Sequence, residues 1–476
     1  MAAPAVVPFI INGQDVETET KFDVTSPVNG KVIHRASAAS VDDAKRAADA
    51  AQAAYPAWKK MKPSDRRDIL LRAADIMQAR QEELIRIQLE ETGASRIFAQ
   101  MTSMFGFTLI RDFAGRISSV EGRVPVVEEE GQSAIVYKEP YGVILGIAPW
   151  NAPFILGTRA VAIPLAAGNT VVLKGSELAP KCFWAIGDIF REAGLPAGCL
   201  NVVYHQASDA PAVTEALIAH PAVRKINFTG STPVGSIIGS LAGKYIKPVL
   251  LELGGKAGAL VLDDADLNKA AMGCTMGAFI HAGQVCMSTE RIIVQRSILD
   301  KFRQVLTETA EKVFGKDAPA PMLVNSIPVE KNRRLIADAV SKGAKVIWGD
   351  HEAREASEAS MRPLIVENVT KEMDLFATES FGPTVSLLVV DTDEEAIELA
   401  NATDYGLTAS VYTENLARGL KIAKQIESGA VHINSPTIHD EPVLPHGGVK
   451  SSGFGRFGGS SGLEEFMVTK SVTWID

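Results

Sequence analysis

Two residues of this chain have the chemistry for covalent catalysis on a carbonyl compound. Cys286 lies in the run GQVCMST, and Glu252 lies in the run LELGGK. A thiolate can attack a carbonyl carbon, while a carboxylate can take up the proton and later activate water. Each residue also has a plainer interpretation, because a free cysteine often packs as a small apolar side chain and a buried carboxylate can be purely structural.

The overall composition limits the classes of protein to which the chain can belong. With 476 residues, 46% of them apolar, it is long enough for two or three globular domains. A net charge of −9 disfavours nucleic acid or an anionic membrane as a partner, because both attract basic surfaces. No apolar run is as long as the roughly 18 residues that a membrane-spanning helix needs. The N-terminus also lacks the features of a secretory signal. We therefore expect a cytoplasmic protein.

The four cysteines favour a free thiol over a disulfide or a metal site. Cys182, Cys199, Cys274 and Cys286 are scattered and show neither CxxC spacing nor a zinc-binding pattern. A reducing compartment fits this distribution, and it would keep a catalytic thiol usable. We expect no bound metal.

Residues 141–253 alternate between short apolar strands and helices. This pattern predicts a doubly wound parallel sheet, and ligands of such sheets bind beyond the carboxyl ends of the strands. The polar and glycine-rich motifs of the region follow predicted strands at 143–147, 170–173 and 225–228.

The rest of the chain predicts further elements of an α/β fold. A second alternating block runs from residue 258 to residue 434, and one long helix is expected from about Ser64 to Thr92. An extended hairpin is expected at 122–140, and a final strand at 468–475.

Six short motifs together resemble those of the NAD(P)-dependent aldehyde dehydrogenase superfamily, and the resemblance covers nearly the whole chain. Within that superfamily the chain is most similar to the salicylaldehyde and vanillin (aryl-aldehyde) dehydrogenase branch. The motifs are PWN at 149–151, KGSE at 174–177, FTGST at 228–232 with Gly235, LELGGK at 251–256, GQVCMST at 283–289 and ESFGP at 379–383.

The resemblance implies a fold and a catalytic set. The fold has an NAD-binding domain (1–121 and 141–253), an α/β catalytic domain (254–445) and small β oligomerisation strands (122–140 and 466–476). Cys286 would add to the aldehyde, and the acyl thioester left after hydride loss would be hydrolysed. Glu252 would be the general base, its pKa raised by burial toward working pH. Asn151, otherwise a plain turn residue, would donate to the oxyanion with the backbone N–H of Cys286.

The implied cofactor is NAD. No GxGxxG follows the first strand, so Ser231, at a predicted helix start, would hold the pyrophosphate, although a simple helix cap explains it equally. Lys174 and Glu177 would hold the adenine-side ribose, and the carboxylate should repel the 2′-phosphate of NADP. Glu379 and Phe381 would contact the nicotinamide-side ribose and ring. The other expected cofactor contacts are Pro149, Trp150, Ser176, Gly230, Gly235, Leu253 and Gly254.

Departures from the family pattern indicate the substrate. Ala152 stands where the family commonly has a bulky aromatic residue, and Arg159 where enzymes for aliphatic aldehydes often have one. With Val285 and Met287 they form the predicted substrate pocket, which favours an aromatic aldehyde, hydroxylated ones included. A helix repacked around Ala152 is the alternative.

Other functions stay open at this point. They are a CoA-acylating semialdehyde dehydrogenase, an enzyme for aliphatic aldehydes and a catalytically silent structural relative. A cysteine hydrolase has little support, because His281 is the histidine nearest to Cys286 and no dyad pattern surrounds it. The expected partners are a small aldehyde and a second copy of the chain, in a homodimer or homotetramer built by strands that cross-pair between subunits.

Overall fold

Two large β-sheets with helices packed against them organise the protein, whose computed structural model describes residues 5–476. A three-stranded sheet and a two-stranded ribbon complete the β-structure of these residues. The strands are β1 (Val6–Val7), β2 (Phe9–Ile11), β3 (Gln14–Val16), β4 (Lys21–Thr25), β5 (Val32–Ser37), β6 (Gln132–Pro140), β7 (Val143–Ile147), β8 (Thr170–Lys174), β9 (Leu200–Val203), β10 (Val223–Thr229), β11 (Val249–Glu252), β12 (Ala257–Val261), β13 (Thr289–Gln295), β14 (Lys345–Trp348), β15 (Leu364–Glu367), β16 (Thr384–Val390), β17 (Thr408–Tyr412), β18 (Ala430–Ile433), β19 (Gly453–Phe454) and β20 (Met467–Ile475).

The α-helices alternate with the strands through most of the chain. They are α1 (Val41–Lys60), α2 (Pro63–Ala79), α3 (Gln81–Thr92), α4 (Arg96–Arg116), α5 (Pro153–Ala166), α6 (Pro180–Glu192), α7 (Ala210–Ala219), α8 (Thr232–Lys244), α9 (Leu267–Phe279), α10 (Leu299–Phe314), α11 (Ser326–Ser341), α12 (Asp374–Ala377), α13 (Asp393–Asn401), α14 (Leu416–Ala423) and α15 (Gly459–Glu464). None of the helices within residues 5–476 combines the length and the apolar composition that crossing a membrane requires.

The first sheet aligns the ends of its central strands along one edge. Its order is β19-β11-β10-β7-β8-β9-β2-β3, and β11, β10, β7, β8 and β9 run parallel. Thr229, the last residue of β10, lies opposite Glu252, the last residue of β11. Ile147 lies opposite Lys174 in the same way. The motifs that follow these strands therefore converge, as expected for a parallel sheet.

The central strands of this sheet are apolar because helices pack against them. All residues of β7, β8 and β9 are buried, which is typical of parallel strands. Gly146 allows α5 to approach β7 closely, since a Cβ at this position would lie 3.1 Å from the carbonyl oxygen of Ala160. This contact fixes α5 over the edge where the motifs converge.

The second sheet carries the segment around Cys286. Its order is β14-β15-β16-β13-β12-β17-β18, and all its neighbouring pairs are parallel except β14 with β15. Cys286 precedes β13, which is a central strand, so the nucleophile motif is anchored in the second sheet while Glu252 belongs to the first. The predicted domain boundaries stay predictions.

Two expectations about local structure are wrong. The helix expected from Ser64 to Thr92 is broken at Arg80, whose guanidinium donates to Glu83 and Asp188. In the expected hairpin at 122–140, only β6 is a strand, and a single bridge joins Arg123 to Val136. β6 pairs along its whole length with β20 of the same chain.

Candidate active site

The carboxylate of Glu252 is fully buried at the end of β11 and pairs with Arg159 of α5. Thr229 joins the same group: its hydroxyl donates to Glu252 Oε2 at 3.3 Å and accepts from Arg159 Nη2 at 3.3 Å. The guanidinium of Arg159 also stacks on the ring of Phe457, 4.1 Å from its centroid. A buried carboxylate needs such partners, because an isolated buried charge is very costly.

The ion pair with Arg159 makes the pKa shift of Glu252 opposite in sign to the one expected from burial. Burial alone would raise this pKa, but the positive charge of Arg159, with His446 and Cys286 nearby, holds it well below its ordinary value. The expectation that burial brings Glu252 close to working pH is therefore wrong. Glu252 is a carboxylate throughout the neutral range.

Cys286 lies within reach of this carboxylate. Its Sγ is 3.1 Å from Glu252 Oε1, and burial together with the Glu252 charge raises the pKa of the thiol well above its ordinary value. The thiol is therefore protonated at neutral pH and donates to Glu252. Attack on a carbonyl compound requires that this proton leave.

The loop before Cys286 is held in an unusual conformation. His281 and Ala282 have φ angles of 52° and 56°, a left-handed region that side chains with a Cβ rarely adopt. Gln284 fixes the loop, because its amide donates to the His281 and Met322 carbonyls and accepts from the Val324 N–H. The glutamine of the motif thus positions the nucleophile.

Asn151 is placed to face the same reacting atoms. Its Nδ2 donates to the Gln284 carbonyl at 2.9 Å, which leaves its second N–H unused. The backbone N–H of Cys286 makes no hydrogen bond to any group of residues 5–476. Two donors of this kind suit an oxyanion.

A cavity of about 420 Å³ opens next to Cys286 and Asn151. Ser231 is the N-cap residue of α8, a 13-residue helix, and it lines the cavity, while its side chain makes no capping hydrogen bond. Gly235 lets this helix approach Leu253, since a Cβ would lie 2.4 Å from that side chain. A phosphate group fits this end of the helix. The cavity wall also includes Pro149, Trp150, Gly230, Gly254, Lys331, Glu379 and Phe381.

Glu379 is a partly buried acceptor on this wall. Its Oε1 accepts from the Gly255 N–H at 2.8 Å, and burial, with the nearby charge of Glu290, raises its pKa to about 7. Phe381 lies edge-on to the Trp150 ring at 6.1 Å. Carboxylate oxygens beside an aromatic ring suit the hydroxyls of a ribose.

Lys174 and Glu177 lie farther along the sheet edge. Burial lowers the pKa of Lys174 to about 8. Glu177 lies in a neighbouring cavity of about 700 Å³, which shares Leu178, Val324 and Asn325 with the first, and the hydroxyl of Ser176 is 3.4 Å from its carboxylate.

The comparisons with known proteins agree with this geometry. The model of the aldehyde dehydrogenase family matches residues 14–472. The chain belongs to the aldehyde dehydrogenase family. The resemblance, the fold class and the enzyme class predicted from the sequence are thereby confirmed.

Individual relatives of the family are similar over nearly their whole length. Vanillin dehydrogenase of a Pseudomonas species is 43% identical over 474 residues, which are 98% of this chain and 97% of the relative. A salicylaldehyde dehydrogenase of Pseudomonas putida, solved with salicylaldehyde, has a TM-score of 0.95 and 36% identity, with 99% and 98% of the chains covered. A betaine aldehyde dehydrogenase of Staphylococcus aureus, solved with NAD⁺, has a TM-score of 0.93 and 29% identity, with 98% and 95% covered.

The predicted substrate residues lie on two sides of the nucleophile. Ala152 is the N-cap residue of α5 and Arg159 lies within this helix. Both have the spacing of one helix face with Leu156, which lines the 420 Å³ cavity. Arg159, however, is 2% exposed and faces Glu252 instead of the cavity. Val285 is buried, and Met287 is partly buried against the same core. The roles of these residues stay predictions.

Sequence reasoning missed several residues of the site. Four residues that were not predicted lie next to Glu252, Arg159 or Asn151. They are Thr229, Gln284, Asp440 and His446, of which only Thr229 and Gln284 lie inside recognised motifs. The loop after β18 brings in Asp440 and His446, and no spacing in the chain links that loop to Glu252. Phe457, from which no conclusion was drawn, supports Arg159.

The Arg159–Glu252 pair predicts a pH-dependent loss of stability in Arg159→Met. In the wild type the folded pKa of Glu252 lies below its unfolded value of about 4.3, so the ion pair contributes stability above that pH. The variant leaves a buried unpaired carboxylate, which costs about 3–5 kcal/mol. Urea unfolding should show this loss at pH 8 and a smaller difference from the wild type at pH 4, where the lone carboxyl protonates.

Arg159→Lys is the matched control, because it keeps the positive charge. It should lose less stability at pH 8 than Arg159→Met. An equal loss for the methionine variant at both pH values would contradict the electrostatic role of Arg159.

Proposed function

We propose that this protein oxidises an aromatic aldehyde to the carboxylic acid with NAD, through a thioester on Cys286. The observation that carries the proposal is the 3.1 Å contact between Cys286 Sγ and Glu252 Oε1, beside a cavity that also holds Ser231 and Glu379. The vanillin and salicylaldehyde dehydrogenases among the relatives support the substrate class.

The chain's own groups perform the acyl transfer. Glu252 accepts the proton of the Cys286 thiol as sulfur bonds to the carbonyl carbon. The negative oxygen that results lies near the Asn151 amide and the Cys286 N–H, two donors that stabilise it. NAD, held by Ser231, Glu177 and Glu379, would supply the acceptor for the hydride of this carbon. Glu252 loses the thiol proton before hydrolysis, so that it can then take a proton from the water that attacks the thioester. That second proton returns to sulfur as the Cys286 thiol is released with the acid.

The cofactor residues support NAD over NADP. Lys174 can donate to ribose hydroxyls, and Glu177 can accept from them. Glu177 is also only partly buried, so it is free to meet a ligand. A 2′-phosphate next to its carboxylate would meet like charge, which costs binding energy.

The substrate pocket favours a planar aromatic aldehyde. Ala152 is the N-cap residue of α5, one helix turn before Leu156 in the cavity wall. Its side chain is a single methyl group next in sequence to Asn151, and it takes up less room there than a bulkier residue would. Since Arg159 is engaged by Glu252, shape and apolar contact, not a free positive charge, select the substrate.

Oligomerisation through the β6–β20 ribbon is part of the proposal. The ribbon exposes Tyr137, Val472, Trp474 and Ile475 at 46%, 41%, 42% and 71%. Exposed apolar residues on strands with free edges favour pairing with a second copy. In a homodimer or a homotetramer, a second copy of the chain would cover these residues.

Cys286→Ala should abolish NADH formation from aldehydes while the fold persists, because the variant has no nucleophile. Glu252→Gln should retain the thiol but slow acyl formation and hydrolysis by about 10²–10⁴-fold, the usual contribution of a positioned base. NADH absorbance, a single-turnover burst and circular dichroism test both variants. Dehydrogenase activity in Cys286→Ala would refute the covalent mechanism, and free acid formed without CoA excludes an acyl-CoA product.

Ala152→Phe should separate large from small substrates. We expect kcat/KM for vanillin and salicylaldehyde to fall about 10- to 200-fold, the range over which pocket size discriminates, with propanal little affected. Ala152→Gly, which keeps the space, should retain both activities. A similar loss for propanal and for the aryl aldehydes would show that residue 152 does not limit the pocket.

Glu177→Gln should weaken the preference for NAD. Removing the carboxylate removes the repulsion of the 2′-phosphate, so KM for NADP should fall while KM for NAD rises because ribose acceptors are lost. Initial rates with both cofactors at fixed aldehyde measure this. Asp209→Asn, a charge change at a half-buried residue of the turn before α7, is the control and should change neither KM. If wild-type turnover were the same with NADP at low concentration, the preference would be wrong.

A further inference from the structure

The proton that leaves the Cys286 thiol has no stable acceptor in the pair formed by Cys286 and Glu252. The thiol pKa is raised, and Arg159 holds the pKa of the carboxylate low, so a proton transferred from sulfur to Glu252 is held weakly. The group that receives this proton must touch Glu252 and must have an unoccupied basic site.

His446 has these properties. It is 4% exposed, and its Nε2 is 3.7 Å from Glu252 Oε1, the oxygen that also faces the Cys286 thiol. Within the described residues this buried nitrogen has no hydrogen-bond partner. At 3.7 Å the two atoms do not form a hydrogen bond, so Nε2 is not committed to donating to Glu252.

The ring of His446 has a carboxylate on each side. Its Nδ1 lies 3.7 Å from Asp440 Oδ1, the same distance as from Nε2 to Glu252 Oε1. The tautomer that can receive a proton from Glu252 carries its own proton on Nδ1, towards Asp440, and presents the lone pair of Nε2 to Glu252. Its backbone is also held, because the N–H and carbonyl of His446 pair with Phe457 at 2.6 and 2.7 Å. The ring is therefore oriented by a carboxylate on one side and faces the base on the other.

The charge balance of the cluster favours a proton on this ring. The titratable or charged groups that face His446 are Asp440 on its own loop, Glu252 on β11, Arg159 on α5 and His432 on β18. One guanidinium and two carboxylates carry a net charge of −1 when the imidazole is neutral. A proton on His446 neutralises the cluster.

We propose that His446, oriented by Asp440, receives through Glu252 the proton of the Cys286 thiol. The S–H bond breaks as the proton bonds to Glu252 Oε1, and that proton then passes to His446 Nε2, so a thiolate and an imidazolium result with no net change in charge. The 3.7 Å gap closes by about 0.5 Å as the hydrogen bond forms, since catalytic hydrogen bonds often tighten only when substrate binds. His446 is a positioning residue that acts through Glu252. This inference rests on the proposed function for its role in turnover.

The test follows the thiolate directly, without aldehyde or NAD. Iodoacetamide alkylates the thiolate of Cys286, and peptide mass spectrometry separates this site from Cys182, Cys199 and Cys274. Burial lowers the pKa of His446, but the charges of Asp440 and Glu252 raise it more, so the pKa lies above its ordinary value of about 6.5. The wild-type alkylation rate should therefore rise with pH to a plateau whose midpoint lies above about 6.5.

His446→Gln should abolish the plateau. The rate should fall about 10²-fold at pH 7.5, the lower end of the contribution of one proton-transfer group, and should climb steadily toward alkaline pH as the isolated thiol ionises. Asp440→Asn should lower the plateau and move its midpoint to lower pH, because the imidazolium loses a negative neighbour. His439→Gln, on the same loop, is the control and should match the wild type.

The two variants keep the test decisive. If His446→Gln does not fold, as judged by thermal unfolding, the Asp440→Asn midpoint still decides. A rate lowered by one constant factor at every pH, or an unchanged profile in both variants, overturns the proposal, because a structural role does not move a midpoint. The same shifts should appear in the pH profile of kcat/KM for an aryl aldehyde. A wild type that makes no NADH but shows the plateau would refute the proposed function and leave the relay intact.

Discussion

The buried ion pair between Arg159 and Glu252 is the interaction on which the site depends. Neither group is solvated, and the cost of burying each ion is several kcal/mol unless a partner compensates it. Thr229 and the ring of Phe457 complete the surroundings of the pair. Because α5 supplies the arginine and β11 the glutamate, the same contact also fixes the helix that carries Ala152 to the strand that carries the base.

This pair changes the way in which the base works. A glutamate with a raised pKa would hold a proton well but would be partly protonated, and hence inactive, at neutral pH. Glu252 is instead ionised at neutral pH and can accept a proton, but its low pKa means that it binds this proton weakly. Efficient transfer from a thiol with a raised pKa therefore requires a next acceptor, and this requirement gives the unpartnered nitrogen of His446 its significance.

The sequence predicts the parts of the fold that local patterns control. Strands such as β7 and β8 were predictable because continuous apolar runs between glycine-rich turns require burial on both faces. The break at Arg80 was not, because ion pairs with distant residues, not a glycine or proline, end the helix. The expected hairpin failed for a similar reason, since the partner of β6 lies more than 300 residues later in the chain.

The proposed catalytic residues could be identified from the sequence because each lies in a short motif, whereas their electrostatics could not be. Burial of Glu252 follows from its apolar neighbours, but the sign of its pKa shift depends on which charge faces it. That charge belongs to Arg159, the seventh residue of α5, and this helix follows a different motif earlier in the chain. Arg159 was assigned to the substrate pocket for the same reason: helix periodicity places it on the face of Ala152 and Leu156, and only the packing shows that its guanidinium turns to the base.

The charge distribution also bears on the choice of substrate. The inner end of the site holds two carboxylates, Glu252 and Asp440, against one guanidinium that both of them approach. An aldehyde that carries its own carboxylate would bring a further negative charge close to this group. A neutral aromatic ring meets no such penalty. On charge alone, the ion pair that keeps Glu252 ionised is therefore more compatible with a neutral aryl aldehyde than with an aldehyde that carries a carboxylate.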